Sequence, residues 1–74
     1  MTATLDTKGL KCPLPVLRAR KAMQSVPPGG LIRIEATDPG AVKDFAHFCE
    51  AAGHELVESS EAEGVYIFLI RKAR

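Results

Sequence analysis

Apolar positions recur along the 74-residue chain with a period of two in some stretches and of three to four in others, and each change of period marks an element. Ala3 and Leu5 alternate with polar neighbours, which predicts a short first strand ending near Lys8. From Pro13 onward Val16, Ala19, Met23 and Val26 fall at helical spacing, one apolar stripe laid against a sheet. Pro27-Pro28-Gly29-Gly30 ends that helix and turns the chain. Alternation returns over residues 31–37, with Ile32, Ile34 and Ala36 on one face and Arg33 and Glu35 on the other, as in a second strand. Asp38-Pro39 then reads as the capped start of a second helix, and Gly53 as its left-handed stop. Its predicted inward stripe is Val42, Phe45, Ala46, Cys49 and Ala52. Residues 54–59 and 65–71 close the chain as a hairpin joined by residues 60–64. Residues 65–70 are apolar on both faces, as expected of a strand in the middle of a sheet.

The predicted order is therefore β-α-β-α-β-β. Right-handed crossovers put both helices on one face of a mixed four-stranded sheet, an α/β (α+β) two-layer sandwich with residues 1–74 as one domain. Tyr66, Phe68 and Ile70 are candidates for the other face, exposed or covered by a partner. The pattern alone leaves open which alternating set of the last strand faces outward, and a monomer or weak oligomer is expected.

Composition narrows this picture. A chain of 74 residues with 46% hydrophobic and 26% charged content supports one small domain with a thin core. No apolar run approaches a membrane span, and the first residues lack the basic-then-apolar build of a signal peptide, so the expectation is a cytoplasmic protein. Cys12 and Cys49 form neither a C-x-x-C pair nor a zinc framework, which suits reduced thiols. Net charge is +1, but residues 1–34 are mainly basic and residues 35–64 mainly acidic. That polarity suits docking to a protein of complementary sign, or two ordinary solvated helix faces. With one Tyr and three Phe, it offers no strong basic or stacking platform for nucleic acid.

Candidate chemistry concentrates at Gly9-Leu10-Lys11-Cys12-Pro13-Leu14-Pro15. Pro13 suits the first helical position, which would make Cys12 the N-cap. A sulfur there meets the positive end of the helix dipole, and Lys11, Arg18 and Lys21 add to it, so moderate activation toward thiolate is expected. Only moderate, because the prolines leave mainly the N–H groups of Leu14 and Val16 for the sulfur. The plain alternative is a small cap without chemistry. Leu14 and Leu17 lie off the buried stripe with Arg18 and Lys21, either as an apolar and basic patch around the sulfur or as ordinary helix-edge packing. Cys49 falls among core positions. His47 falls on the outer side near Lys43 and Asp44, and its side chain diverges from that of Cys49, which argues against a metal site. His54 reads as a loop histidine.

The C-P-x-P run resembles the signature of the TusA/SirA-like small sulfur-carrier family. Asp38-Pro39, Asp44, Phe48-Cys49, Gly53-His54-Glu55-Leu56 and Ile70-Arg71-Lys72 also stand in that family's order. Leu14 occupies the variable position, where members serving tRNA thiolation can carry an acidic residue. The resemblance implies that Cys12 accepts sulfane sulfur from a pyridoxal-phosphate cysteine desulfurase or a rhodanese-like donor. It would hold the sulfur as a persulfide and pass it to a downstream acceptor protein, in tRNA 2-thiouridine synthesis, molybdenum-cofactor sulfuration or sulfur oxidation. It implies a sulfurtransferase-type carrier without a complete active site, and with no cofactor, metal, membrane or direct nucleic-acid partner of its own. Gly9, Pro13 and Pro15 would support the motif, with Leu14, Leu17, Arg20, Lys21, Asp38 and Lys43 around it for docking. An RNA-binding module, by likeness of architecture to the C-terminal domain of a bacterial translation initiation factor, and a redox-regulatory interaction module are the alternatives.

Overall fold

The computed structural model describes residues 2–73. Its elements are β1 (Thr2–Thr7), α1 (Leu14–Met23), β2 (Leu31–Ala36), α2 (Ala41–Ala52), β3 (Glu55–Ala62) and β4 (Val65–Arg71). They form one mixed sheet in the order β1-β2-β4-β3. β1 runs parallel to β2, and β4 runs antiparallel to both β2 and β3. Each helix therefore crosses between parallel strands, which lays both on one face of the sheet.

That face is dry because the alternating residues beneath it are apolar. Ile32, Ile34 and Ala36 of β2 and Phe68 and Ile70 of β4 are buried against Ala19, Met23, Val26, Ala41, Phe45 and Cys49. The Phe45 and Phe68 rings meet at 4.6 Å between centroids. Each large side chain removed from water here stabilises the fold by about 1.5–3 kcal/mol. β4 is central, and its open question resolves one way: Phe68 and Ile70 point to the helices, Tyr66 packs partly buried against the core, and Val65, Ile67 and Leu69 take the opposite face half-buried. The outward placement considered for Tyr66, Phe68 and Ile70 is thus corrected.

The stripe of α2 is rotated from the expected one. Ala41, Phe45 and Cys49 are buried and Phe48 is half-buried, whereas Val42, Ala46 and Ala52 are exposed. Turning this way sets the two phenylalanines, the largest apolar side chains of the helix, toward the sheet. Gly53 closes the helix in the left-handed conformation, at φ 77°, as predicted. The hairpin is tighter than expected. Residues 60–62 continue β3, and Glu63-Gly64 alone make the turn, both with positive φ, the geometry that matches strand twist in a two-residue loop. His54 lies just before β3, and its Nδ1 accepts the Ala73 N–H at 3.1 Å.

Both helix starts depart from the cap-plus-proline reading. α1 begins at Leu14 with Pro13 in the cap position, and α2 begins at Ala41 with Gly40 there; neither has a side-chain cap. Each is entered through a backbone turn instead, Leu14 N–H to Lys11 O at 2.9 Å and Ala41 N–H to Asp38 O at 3.0 Å. Cys12 stands one residue before its helix's cap, and Asp38 meets the Gly40 N–H with one oxygen at 3.4 Å while the other reaches elsewhere.

Candidate functional site

The parallel pairing of β1 and β2 brings Thr7 opposite Ala36, so the two loops that leave these strands lie side by side. The first loop donates and the second accepts at every polar contact between them. Thr7 Oγ1 donates to the Glu35 carbonyl at 2.6 Å, and Lys8 Nζ to Glu35 Oε1 at 3.0 Å. Gly9 N–H donates to Thr37 Oγ1 at 2.9 Å. Its φ of 84° is a left-handed value that glycine adopts without strain. Cys12 N–H donates to Asp38 Oδ2 at 2.7 Å, and the Cys12 thiol donates to Asp44 Oδ2.

Cys12 is exposed, and Cys49 is buried in the core as a second free thiol. The electrostatics at Cys12 run against the expected activation. Its hydrogen bond to Asp44, its partial desolvation and the charges of Asp44 and Asp38 all push the thiol above its ordinary pKa. A carboxylate in contact opposes a thiolate directly, whereas the end of α1 begins beyond Cys12 and does not cap it. The sulfur itself meets an acidic contact, Asp44 in the first turn of α2, with Asp38 before that helix adding a second negative charge.

Beside Cys12, between α1 and α2, opens a groove of about 540 Å³ whose lining includes Pro13, Val16, Arg20, Asp44, His47 and Phe48. Arg20 thus faces it from α1. Leu17 and Lys21 border the adjoining depression, together with Arg20. Leu14 and Leu17 are 44% and 49% exposed, apolar surface available to a partner. Lys43 lies on the far side of Asp44 and His47. Asp38, expected at the docking surface, holds the Cys12 backbone, and Pro15 is buried beneath the start of α1. Asp44 is the site residue that pattern reading missed. The signal that could have found it is the parallel register of β1 and β2, which brings an acidic helix start to the cysteine loop. Among the described residues, no cluster of three or more His, Cys, Asp or Glu side chains could hold a metal, and no helix is long and apolar enough to cross a membrane.

Comparison with known proteins gives a consistent result. The family profile described as Sulfurtransferase TusA matches residues 3–72. A protein named sulfur carrier protein TusA from Allochromatium vinosum is 49% identical over 69 residues, 93% of this chain and 91% of its own length. A putative sulfur carrier protein of Neisseria meningitidis is 47% identical over 68 residues, 92% of either chain. The crystal structure of a SirA-like protein from Desulfitobacterium hafniense superposes over the whole of both chains with a TM-score of 0.84, at 26% identity.

Proposed function

This chain belongs to the TusA sulfurtransferase family of sulfur carriers, and on that footing we propose that Cys12 is the residue that carries the sulfur. The observation behind the reading is that Cys12 is the exposed one of two thiols, held by two loops at the mouth of an open groove. A donor protein bearing a persulfide, a cysteine desulfurase or a rhodanese, docks over the groove. The Cys12 sulfur then attacks the donor's terminal sulfur, and Cys12 leaves as a persulfide. An acceptor protein's thiol takes that sulfur in turn. Leu14 and Leu17 supply apolar contact, and Arg20, Lys21 and Lys43 supply charge for docking. No second cysteine is in position to resolve the persulfide, because Cys49 faces the core; this suits a relay in which partners complete the chemistry. The acceptor pathways this fits are tRNA thiolation, molybdenum-cofactor sulfuration and sulfur oxidation.

The test is intact-mass measurement after incubation with a cysteine desulfurase and cysteine. The protein should gain one sulfur atom, Cys12→Ser should gain none, and Cys49→Ser should load like the parent protein. Label found on Cys49 would overturn the assignment. Trapping mixed disulfides through Cys12 would then separate the acceptor pathways.

A further inference from the structure

We propose that Asp44 is a positioning residue for Cys12: its carboxylate takes the thiol's hydrogen bond and holds the unloaded sulfur as a neutral thiol until a docked donor displaces that contact. This rests on the reading of Cys12 as the loading point. The pairing is built from both sides. Asp44 sits in the first turn of α2 beside Phe45, which is fully buried and fixes that turn. The cysteine loop is fixed by its Gly9 and Cys12 amides on Thr37 and Asp38. The thiol therefore meets the carboxylate across two anchored segments. The charged and titratable groups around it are Lys11 in its own loop, Arg20 across the groove on α1, Asp38 before α2, and Lys43, Asp44 and His47 on α2. Of these, Asp44 touches the sulfur, and Asp38 adds a second negative charge.

Loading balances without an external oxidant or reductant. Once the donor has displaced the Asp44 contact, the Cys12 thiol releases its proton and its sulfur attacks the donor's terminal sulfur. The donor's S–S bond breaks, the electron pair leaves on the donor's own sulfur, and that sulfur takes up the proton. A persulfide is a stronger acid than its parent thiol. The loaded sulfur is thus an anion facing a carboxylate, with no proton left to share, so the contact that stabilises the empty carrier repels the loaded one. Asp44 in this way distinguishes the two states and favours handing the sulfur on.

The experiment is the alkylation rate of Cys12 by iodoacetamide from mildly acidic to alkaline pH, in a Cys49→Ser background. Asp44→Asn should be alkylated about two- to fivefold faster at neutral pH, the range an exposed charge interaction supports. It should lose that advantage at alkaline pH, where both sulfurs are thiolates and the more basic one is the better nucleophile. Asp44→Ser should behave like Asp44→Asn, and Asp44→Glu like the parent. Superimposable profiles, or a uniform change at every pH, would overturn the proposal, since a merely structural role alters access without moving the profile. Desulfurase loading of the same proteins separates the two readings. A shifted profile without loading defeats the assignment of Cys12 as carrier and leaves the Asp44 pairing standing; loading with an unshifted profile defeats the pairing alone.

Discussion

Between residues 7 and 12 the chain presents the Thr7 hydroxyl, the Lys8 ammonium, two backbone N–H groups and a thiol; between residues 35 and 44 it presents a carbonyl, a hydroxyl and three carboxylates. Both segments leave parallel strands, and both carry a proline just ahead of a helix. In the side-chain and loop-amide contacts that join them, the first donates and the second accepts. The difference gives the charge segregation of the sequence a partly internal use. Basic and acidic halves that suggested docking to another protein meet first within this one, where the acidic loop holds the cysteine loop in place. What remains for a partner is the groove beside them, with Arg20 on one wall and His47 on the other.

The comparison can be broken most severely from below. Phe45 is fully buried and underlies the turn that carries Asp44. Phe45→Ala should lower stability by about 3–5 kcal/mol, a large share of what a domain this small has. Urea unfolding should show it as a lower midpoint. A loss under about 1 kcal/mol would mean that the accepting segment is not anchored by this ring. Removing a single acceptor is milder. Asp38→Ala frees the Cys12 N–H and should cost about 1–2 kcal/mol, as for a hydrogen bond to a charged group near the surface. Amide exchange at Cys12 should quicken, and Asp38→Asn, which keeps an acceptor, should lose less. Unchanged exchange would show that the loops are not held by this bond.

Much of this was legible from periodicity, and the failures share a cause. β2 alternates cleanly, and Ala19 and Met23 mark the buried side of α1 because each segment has one dry face and one wet one, while Val26 is buried in the turn that follows the helix. β4 carries apolar residues on both faces, so nothing in its pattern says which side meets the helices. β3 is an edge strand whose side chains are exposed except for half-buried Leu56, and its far end looks like loop. Asp38 was misread as a cap because capping is a local inference, whereas its carboxylate serves a residue 26 positions away. Asp44 was missed as a site residue for the same reason. Cys12 was legible as chemistry, but its acidity depends on a neighbour 32 positions distant, and local reasoning from dipole and flanking lysine gave the wrong direction.

Two further changes sharpen the donor-to-acceptor picture at smaller scale. Thr7 is 1% exposed, the buried polar residue at the base of the two loops. Thr7→Val keeps its shape, removes the hydroxyl that reaches the Glu35 carbonyl, and should cost about 1 kcal/mol in urea unfolding. A neutral outcome would place the register in the strands alone.

The smallest effect is read in pH. The Glu35 carboxylate is bonded by Arg33 at 2.5 Å and by Lys8 at 3.0 Å. Those hydrogen bonds, with Arg33 foremost, hold its pKa below the usual glutamate value of 4.5. A carboxyl group whose pKa is lowered by folding binds fewer protons in the folded chain than in the unfolded one. Its stabilisation is complete above the usual value and is lost as pH falls from there through the lowered one. Glu35→Gln should therefore flatten the acid limb of the stability curve in that window, and, because the Glu35 hydrogen bond is also what chiefly raises the Lys8 pKa, it should soften the loss of stability at alkaline pH where Lys8 titrates. The pairs are surface-exposed, so added salt should narrow the difference between the two proteins. An acid limb identical in both would mean that Lys8 and Arg33 give Glu35 no net preference for its charged form, and that the loops are joined by their uncharged contacts and by Asp38 and Asp44 alone.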